Sequence, residues 1–137
     1  RIIMVETVQF ELVAPEKLIF TGEVELVVVP GAEGDFGVLP GHANLISTVR
    51  PGIVEIYESN QVKERYFVGG GYAEVTSKRC TVLSTESMQV SEIDTNGAQE
   101  RLNAAESDLS SATSETDRSR AERSLEVARA LVEASQN

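Results

Sequence analysis

The residues that carry most catalytic and metal chemistry are nearly absent from this chain of 137 residues. It has one histidine, His42, one cysteine, Cys80, and no tryptophan. A single histidine excludes a histidine pair or a His-rich metal cluster within the chain. A single cysteine excludes an internal disulfide, which fits a reducing compartment. No serine lies in a Gly-x-Ser-x-Gly turn, so the sequence offers no α/β-hydrolase nucleophile.

Positive charge and long apolar runs are also scarce. The 12 Lys and Arg residues stand against 22 Asp and Glu residues, a net charge of −10. Contacts with nucleic-acid phosphates and with anionic lipid both need clustered Lys and Arg, so the charge argues against either as a direct partner. The longest apolar cluster, residues 26–29, is far shorter than a membrane span of about 18 residues. We therefore expect no lipid insertion, and any membrane association should go through another protein.

The sequence changes character near Val90. Residues 1–90 contain nine of the ten glycines and all four prolines, which separate short runs rich in Val and Ile. This pattern predicts an antiparallel β-sandwich with a tight hairpin turn at Ser59 and Asn60. The predicted strands cover residues 8–13, 17–20, 23–29, 35–38, 44–49, 53–58, 61–68, 72–76 and 79–84.

Residues 91–137 are rich in Ala, Glu, Ser and Arg, and their apolar residues recur with helical spacing. The first apolar stripe consists of Ala98, Leu102, Ala105 and Leu109. The second consists of Ala121, Leu125, Ala128 and Val132. Asp94 or Thr95 can cap the first helix, Ser114 with Asp117 resembles a capping box, and residues 110–114 form the turn between the helices. The sequence thus predicts an α+β protein, with a sandwich over residues 1–90 and an antiparallel two-helix hairpin over residues 91–137.

Several residues allow two interpretations. Cys80 lies in a strand-like run and is better explained as a core thiol than as a nucleophile. The acidic loop 31–37 lacks the Gly-Lys-Ser/Thr of a phosphate loop, so its glycines indicate a chain reversal, and Gly69 to Gly71 indicate a tight turn or bulge.

The helical arginines are similarly open. Arg118 and Arg129 can pair with Glu122 and Glu133 on a solvated face, or arginines of this helix can meet an acidic partner. Glu126 and Arg129 can form an intrahelical ion pair or hold a ligand.

Three segments resemble a known family. They are GDFGVLPGHANL at residues 34–45, RPGIV at 50–54 and YFVGGGYAEV at 66–75. Their order and spacing resemble the epsilon subunit of bacterial F-type ATP synthase, called delta in mitochondria, and the resemblance covers about residues 8–134.

The resemblance implies a non-catalytic subunit of the central rotor stalk, in a complex whose catalytic sites lie in other subunits. The sandwich would bind the gamma subunit and the c-ring, and would help couple ring rotation to ATP synthesis. The hairpin would be regulatory, lying beside the sandwich or extending to block ATP hydrolysis. The resemblance also implies a peripheral position on the cytoplasmic face of the bacterial plasma membrane.

The resemblance assigns roles to a few residues of the sandwich. Glu33 and Asp35 match the loop that faces the c-ring, and His42 matches a contact with gamma. No catalytic residue and no metal ligand is implied.

In the hairpin, Arg118, Arg120 and Arg123 correspond to the basic helix that meets the catalytic beta subunit, as part of a contact with the alpha and beta subunits. Glu126 and Arg129 fall in a motif through which some members bind ATP, although Glu replaces the usual Asp. ATP is thus a candidate regulatory ligand, and no other cofactor is expected.

Two alternatives to a rotor-stalk role remain open at this point. One is a regulatory module that senses ATP through Glu126 and Arg129. The other is an enzyme on a small sandwich that uses His42 or Cys80. Because the helical stripes are rich in alanine, we also expect the hairpin to dock weakly and to detach.

Overall fold

A computed structural model describes residues 6–136, which form ten strands followed by two helices. The strands are β1 (Val8–Ala14), β2 (Lys17–Val24), β3 (Leu26–Gly31), β4 (Gly34–Val38), β5 (Leu45–Val49), β6 (Gly52–Glu58), β7 (Gln61–Val68), β8 (Gly71–Val75), β9 (Arg79–Ser84) and β10 (Ser87–Gln89). A 3₁₀ turn (Val90–Glu92) leads into α1 (Thr95–Ser111) and α2 (Glu115–Ser135).

The strands form one continuous sheet that folds into two layers. Its order is β10-β7-β6-β3-β5-β8-β9-β1-β2, and β4 pairs with β3. We call β10, β7, β6, β3 and β4 the first layer, and β5, β8, β9, β1 and β2 the second layer. Within residues 6–136, a single registered pair, Gly31–Val49, joins β3 to β5, and the sheet passes from one layer to the other at this point. The pairings are antiparallel except that of β1 with β9, in agreement with the sequence prediction.

The core lies between the layers, because alternate residues of each strand point inward. Its buried members include Phe10, Leu12, Val54 and Cys80. Phe20 of the second layer reaches Tyr66 of the first, with ring centroids 6.1 Å apart. Aromatic contact across the two layers makes the sandwich a single packed body.

Two turns need unusual backbone conformations. Ser59 and Asn60 have φ values of 55° and 61° and join β6 to β7, which confirms the predicted hairpin turn. Gly71 has φ +151°, and a Cβ there would lie 1.8 Å from the Leu83 carbonyl oxygen. Glycine at position 71 is therefore required by the close approach of β8 and β9.

The two helices form the predicted hairpin. Asp94 caps α1 by accepting from the Asn96 N–H at 3.2 Å, and the Ser114 hydroxyl caps α2 by accepting from the Asp117 N–H at 3.0 Å. Ala105, Leu125 and Ala128 are buried between the helices, with Leu102 and Leu109 beside them. The middle parts of the predicted stripes therefore face each other, whereas Ala98 and Val132 belong to the cluster against the sandwich.

The hairpin docks on the outer face of the first layer. Leu131 and Ala134 of α2 pack with Phe67 of β7, and Ile53 of β6 lies alongside. Neither helix of the described residues has the length and apolar character that crossing a bilayer would need.

Three details of the sequence prediction were wrong. The predicted strand 23–29 is two strands, because Val24 pairs with β1 in the second layer whereas Leu26 pairs with β6 in the first. The chain crosses between layers at Glu25. The sequence did not indicate β10, whose three residues exist as a strand through pairing with β7. The turn between the helices is shorter than expected, because α1 continues to Ser111.

Candidate interaction surfaces

The outer face of the second layer carries a row of exposed apolar side chains. Tyr72 pairs with Leu83, Leu83 with Val13, and Val13 with Leu18, so the four cross β8, β9, β1 and β2 side by side. Tyr72, Leu83 and Leu18 are 62%, 53% and 54% exposed. Ile46 of β5 pairs with Glu74, which lies on the same face of β8 as Tyr72, and is 75% exposed. We call these five residues the apolar band.

The apolar band follows from the way in which the second layer packs its inner face against the core. Ala73, Val82 and Leu12 point into the core, so their neighbours Tyr72, Leu83 and Val13 point outward. Side chains on directly opposite residues of neighbouring strands lie about 5 Å apart, and the row is therefore contiguous. A contiguous apolar surface of this kind is typical of a protein–protein contact rather than of scattered surface residues.

The sequence analysis did not identify the apolar band, although one signal was present. Val82 and Leu83 are adjacent in a single strand, and period-2 alternation cannot bury both on one face. Such a pair indicates a strand whose outer face is also apolar and can be buried by another protein surface.

The residues expected at the c-ring, Glu33 and Asp35, lie at the tip of the β3–β4 hairpin. The Asp35 carboxylate is 2.5 Å from an Arg50 guanidinium nitrogen, and Arg50 also donates to the Gly31 carbonyl oxygen at 2.6 Å. Glu33 is exposed and makes no hydrogen bond or ion pair with another of the described residues. Glu33 is thus the carboxylate available for an external contact, whereas Asp35 stiffens the tip.

The residue expected at gamma, His42, lies at the opposite end of the sandwich. Gly31 pairs with Gly34 at the tip and Val27 with Val38 at the other end of the β3–β4 hairpin, roughly 13 Å away. The loop after β4 is held by a hydrogen bond from the Gly41 N–H to the Ser77 carbonyl at 2.8 Å, and His42 Nδ1 donates to the Ala43 carbonyl at 2.6 Å. The two predicted contacts therefore need two different partner surfaces.

The three arginines predicted to meet the beta subunit do not form one patch. All three are exposed on α2. Arg120 lines a shallow depression with Asp108 and Asp117, whereas Arg123 lines a groove on another side of the helix. Arg118 makes no ion pair with Glu122 within the described residues, so the interpretation of these two as a solvated pair is not supported.

The residues of the candidate ATP motif do share a groove. Glu126 and Arg129 line an open groove between α2, the end of α1 and Pro51, and Arg123 lines it as well. Glu126 and Arg129 do not form an ion pair in the described part of the chain. The groove offers two guanidinium groups to an anion, but it also contains the carboxylates of Glu122, Glu126 and Glu133.

The two candidate catalytic groups are not brought together. Cys80 is 0% exposed, and its burial raises the pKa of the thiol to about 12. At neutral pH the thiol is therefore protonated and is not a nucleophile. His42 lies instead in a surface loop, and residues 6–136 contain no group of His, Cys, Asp and Glu arranged to hold a metal ion.

Two sequence profiles together match residues 7–136. The profile of the ATP synthase delta/epsilon chain beta-sandwich domain matches residues 7–90, and that of the delta/epsilon long alpha-helix domain matches residues 91–136. The chain is 48% identical to the ATP synthase epsilon chain of Rhodospirillum rubrum over 131 residues, which cover 96% of this chain and 98% of that one. It is 47% identical to the epsilon chain of Paramagnetospirillum magneticum with the same coverage.

Solved structures show the same architecture. A chain from the mitochondrial ATP synthase of Euglena gracilis, in a structure of OSCP, F1 and the c-ring, matches with a TM-score of 0.79 and 26% identity. The match covers 96% of this chain and 82% of that chain. A chain from the central stalk and c-ring of the Tetrahymena thermophila mitochondrial enzyme matches with a TM-score of 0.70 and 12% identity, which supports the fold.

Proposed function

Since this chain belongs to the family of ATP synthase delta and epsilon chains, we propose that it is a non-catalytic subunit of the central rotor stalk of a proton-translocating F-type ATP synthase. In this role it binds the gamma subunit and the c-ring and helps to transmit ring rotation to the catalytic sites of other subunits. It is a peripheral component of the complex, on the cytoplasmic face of the bacterial plasma membrane.

The observation that carries the proposal is the apolar band on a rigid sheet. A subunit that transmits torque needs a contact that does not slip, and an apolar surface on paired strands meets that need because the hydrogen-bonded strands fix the spacing of its residues. We assign the apolar band to the contact with gamma. His42 belongs to the same contact, four residues before Ile46 in the chain.

The β3–β4 tip is the proposed contact with the c-ring. Glu33 offers a free carboxylate to polar loops, and the exposed Asp35–Arg50 ion pair adds a modest constraint on the tip. A polar contact of this kind sets orientation more than affinity. The gamma and c-ring contacts then lie on separate surfaces of one sandwich, as a connecting piece requires.

The absence of catalysis by this chain is part of the proposal. Its support is chemical, because the Cys80 thiol is protonated in the core and His42 has its Nδ1 engaged by the Ala43 carbonyl. Cys80 and His42, on which the enzyme alternative depends, therefore do not act together as a nucleophile and its base.

The direct test uses gamma binding by full-length variants. Leu83→Glu places a charge in the middle of the apolar band at a residue that is already half exposed, so the sandwich should fold while affinity for gamma falls at least tenfold. Val62→Glu is the matched control, because Val62 is exposed on β7 in the other layer. Equal affinity of the two variants for gamma would overturn the assignment of the apolar band.

A regulatory function of the hairpin is a second proposal. We propose that α2 meets the catalytic subunits through Arg118, Arg120 and Arg123 when the hairpin extends, and that ATP binding at Arg123, Glu126 and Arg129 favours the docked form. The observation in favour of ATP is the shared groove of Arg123 and Arg129, since guanidinium groups suit phosphates.

The ATP proposal is tested by titrating ATP into the full chain and following hydrogen exchange of the helices. Exchange should slow with ATP, and Arg129→Gln should abolish the effect. Arg120→Gln, on the other side of α2, should leave it intact. If the exchange of the unmodified chain does not change at millimolar ATP, the proposal that ATP binds here is refuted.

A further inference from the structure

The turn between β9 and β10 holds Glu86 in a fixed position. The Glu86 carbonyl oxygen accepts from the Gly69 N–H at 2.9 Å and from the Ser84 hydroxyl at 2.5 Å. Ser84 is itself buried. Two hydrogen bonds to one carbonyl, one of them from a buried side chain, fix the backbone at this exposed turn.

Gly69 leaves the space that the Glu86 side chain occupies. A Cβ at Gly69 would lie 2.6 Å from Glu86 Cγ and 2.9 Å from Thr85 Oγ1. Those distances are too short for any non-bonded contact, so a larger residue at this position would displace the Glu86 side chain. The Glu86 side chain therefore occupies the space that a side chain at position 69 would need.

This carboxylate meets Arg101 of α1 with two parallel hydrogen bonds. Arg101 donates through its two terminal nitrogens to the two carboxylate oxygens, at 2.9 and 2.6 Å. The hydrogen bond to Glu86 is the main cause that raises the pKa of Arg101. Bidentate pairing is the strongest and most directional form of a guanidinium–carboxylate contact.

The pair occupies a special position among the contacts of the hairpin. Three other salt bridges of the described residues lie within the sandwich. The hairpin also contacts the sandwich through apolar packing around Phe67 and Leu131. The strength of apolar packing changes little with salt concentration near physiological values. An ion pair whose side chains are 42% and 39% exposed is weakened, because salt screens the two charges.

We propose that Glu86 and Arg101 form an electrostatic latch that holds the helical hairpin closed on the sandwich, and that Gly69 keeps the latch in register. The latch concerns the regulation of the hairpin and rests on the proposed regulatory function. Because the docked face of the hairpin includes Ala98, Ala130 and Ala134, which bury little apolar surface, a modest loss at the latch shifts the open population measurably.

The latch is tested on the full chain by hydrogen exchange of α1 and α2 at low salt. Glu86→Gln and Arg101→Gln should each raise the frequency of hairpin opening about fivefold, the size expected for a well-oriented exposed pair. The double charge reversal Glu86→Arg with Arg101→Glu should restore part of the protection. Glu74→Gln should leave hairpin opening unchanged, because Glu74 is an exposed residue of β8 that pairs with no charged group in the described part of the chain.

Salt and Gly69 provide two further readouts. Raising the salt concentration should open the hairpin of the unmodified chain and should have little effect on Glu86→Gln. Gly69→Ala should open the hairpin as Glu86→Gln does, provided that exchange of β6 and β9 shows an intact sandwich. The latch is refuted if Glu86→Gln and Glu74→Gln open equally, or if salt acts equally on the unmodified chain and on Glu86→Gln.

The latch and the gamma contact can fail independently. Gamma binding by Glu86→Gln should equal that of the unmodified chain, since Glu86 is outside the apolar band. Leu83→Glu should leave hairpin opening unchanged. Gamma affinity therefore tests the apolar band, and hydrogen exchange of the hairpin tests the latch, without either result affecting the other.

Discussion

At the scale of single residues, burial decides which chemistry remains available. Cys80 pairs in register with Phe10 and Val75 and has no access to solvent. Desolvation disfavours its thiolate and raises the pKa of the thiol from 9.0 to about 12. The unfolded chain therefore loses this proton at a lower pH than the folded chain.

The first prediction follows from that difference. Between pH 9 and 12 the folded state holds a proton that the unfolded state has released, so the Cys80 contribution to stability falls as pH rises. The loss approaches about 1.4 kcal/mol per pH unit inside this window and is absent below it. Urea denaturation from pH 8 to 10.5 should show a shallower alkaline decline for Cys80→Ala than for the unmodified chain. Equal slopes would contradict the shifted pKa.

A second prediction concerns two glycines, one required because there is no space for a side chain and one because of its positive φ. Gly71 and Gly34 have φ values of +151° and +136°, but only a Cβ at Gly71 would collide with backbone, whereas nothing lies within 4 Å at Gly34. Gly34→Ala should destabilise the sandwich by about 1–2 kcal/mol. Gly71→Ala should destabilise it by more than about 4 kcal/mol, or prevent folding, because β8 and β9 must separate. Similar denaturation midpoints for the two variants would refute this distinction.

At the scale of elements, the two ends of α2 have different tasks. Leu125 and Ala128 pack against α1, whereas Leu131 and Ala134 pack against Phe67 of the sandwich. The N-terminal half of α2 therefore stabilises the hairpin itself, and the C-terminal half attaches the hairpin to the sandwich.

The third prediction concerns the C-terminal half. Leu131→Ala removes a buried side chain that is 7% exposed and should weaken hairpin docking by about 2–5 kcal/mol. Hydrogen exchange in α1 and α2 should rise about 30-fold or more, while β6 and β9 stay protected. Leu39→Ala is the control, because Leu39 is 57% exposed in a loop. Exchange that rises equally in sandwich and hairpin would show that they unfold as one unit.

Sequence patterns predicted elements well where the signal is local. The helical stripes, the Ser114 cap and the Ser59–Asn60 turn all depend on neighbouring residues, and the structure confirms them. The break at Glu25 and the strand β10 depend on which distant strand is paired. The apolar band and the Glu86–Arg101 pair depend on register between remote segments, which periodicity cannot supply.

At the scale of the whole molecule, the two outer faces of the sandwich are assigned to different contacts. The hairpin covers Phe67 and Ile53 on the first layer, and the apolar band lies on the second layer. Opening of the hairpin therefore leaves the proposed gamma contact untouched. Regulation and anchoring can operate independently for this reason.

The fourth prediction tests that independence. A chain without residues 91–137 should still co-purify with gamma, since the apolar band is complete without the helices. Phe67→Ser would be included to replace the apolar surface that the truncation uncovers. A truncated chain that is folded, by the dispersion of its amide spectrum, and yet fails to bind gamma would place the anchor in the hairpin.

The central claim is that the sandwich is a rigid connector whose second layer binds gamma. The most direct measurement is a side-chain-resolution cryo-EM structure of the assembled rotor containing this chain. We predict that Tyr72 and Leu83 lose their solvent exposure against gamma and that Glu33 faces the c-ring. An apolar band that stays exposed to solvent in every rotational state would contradict the account.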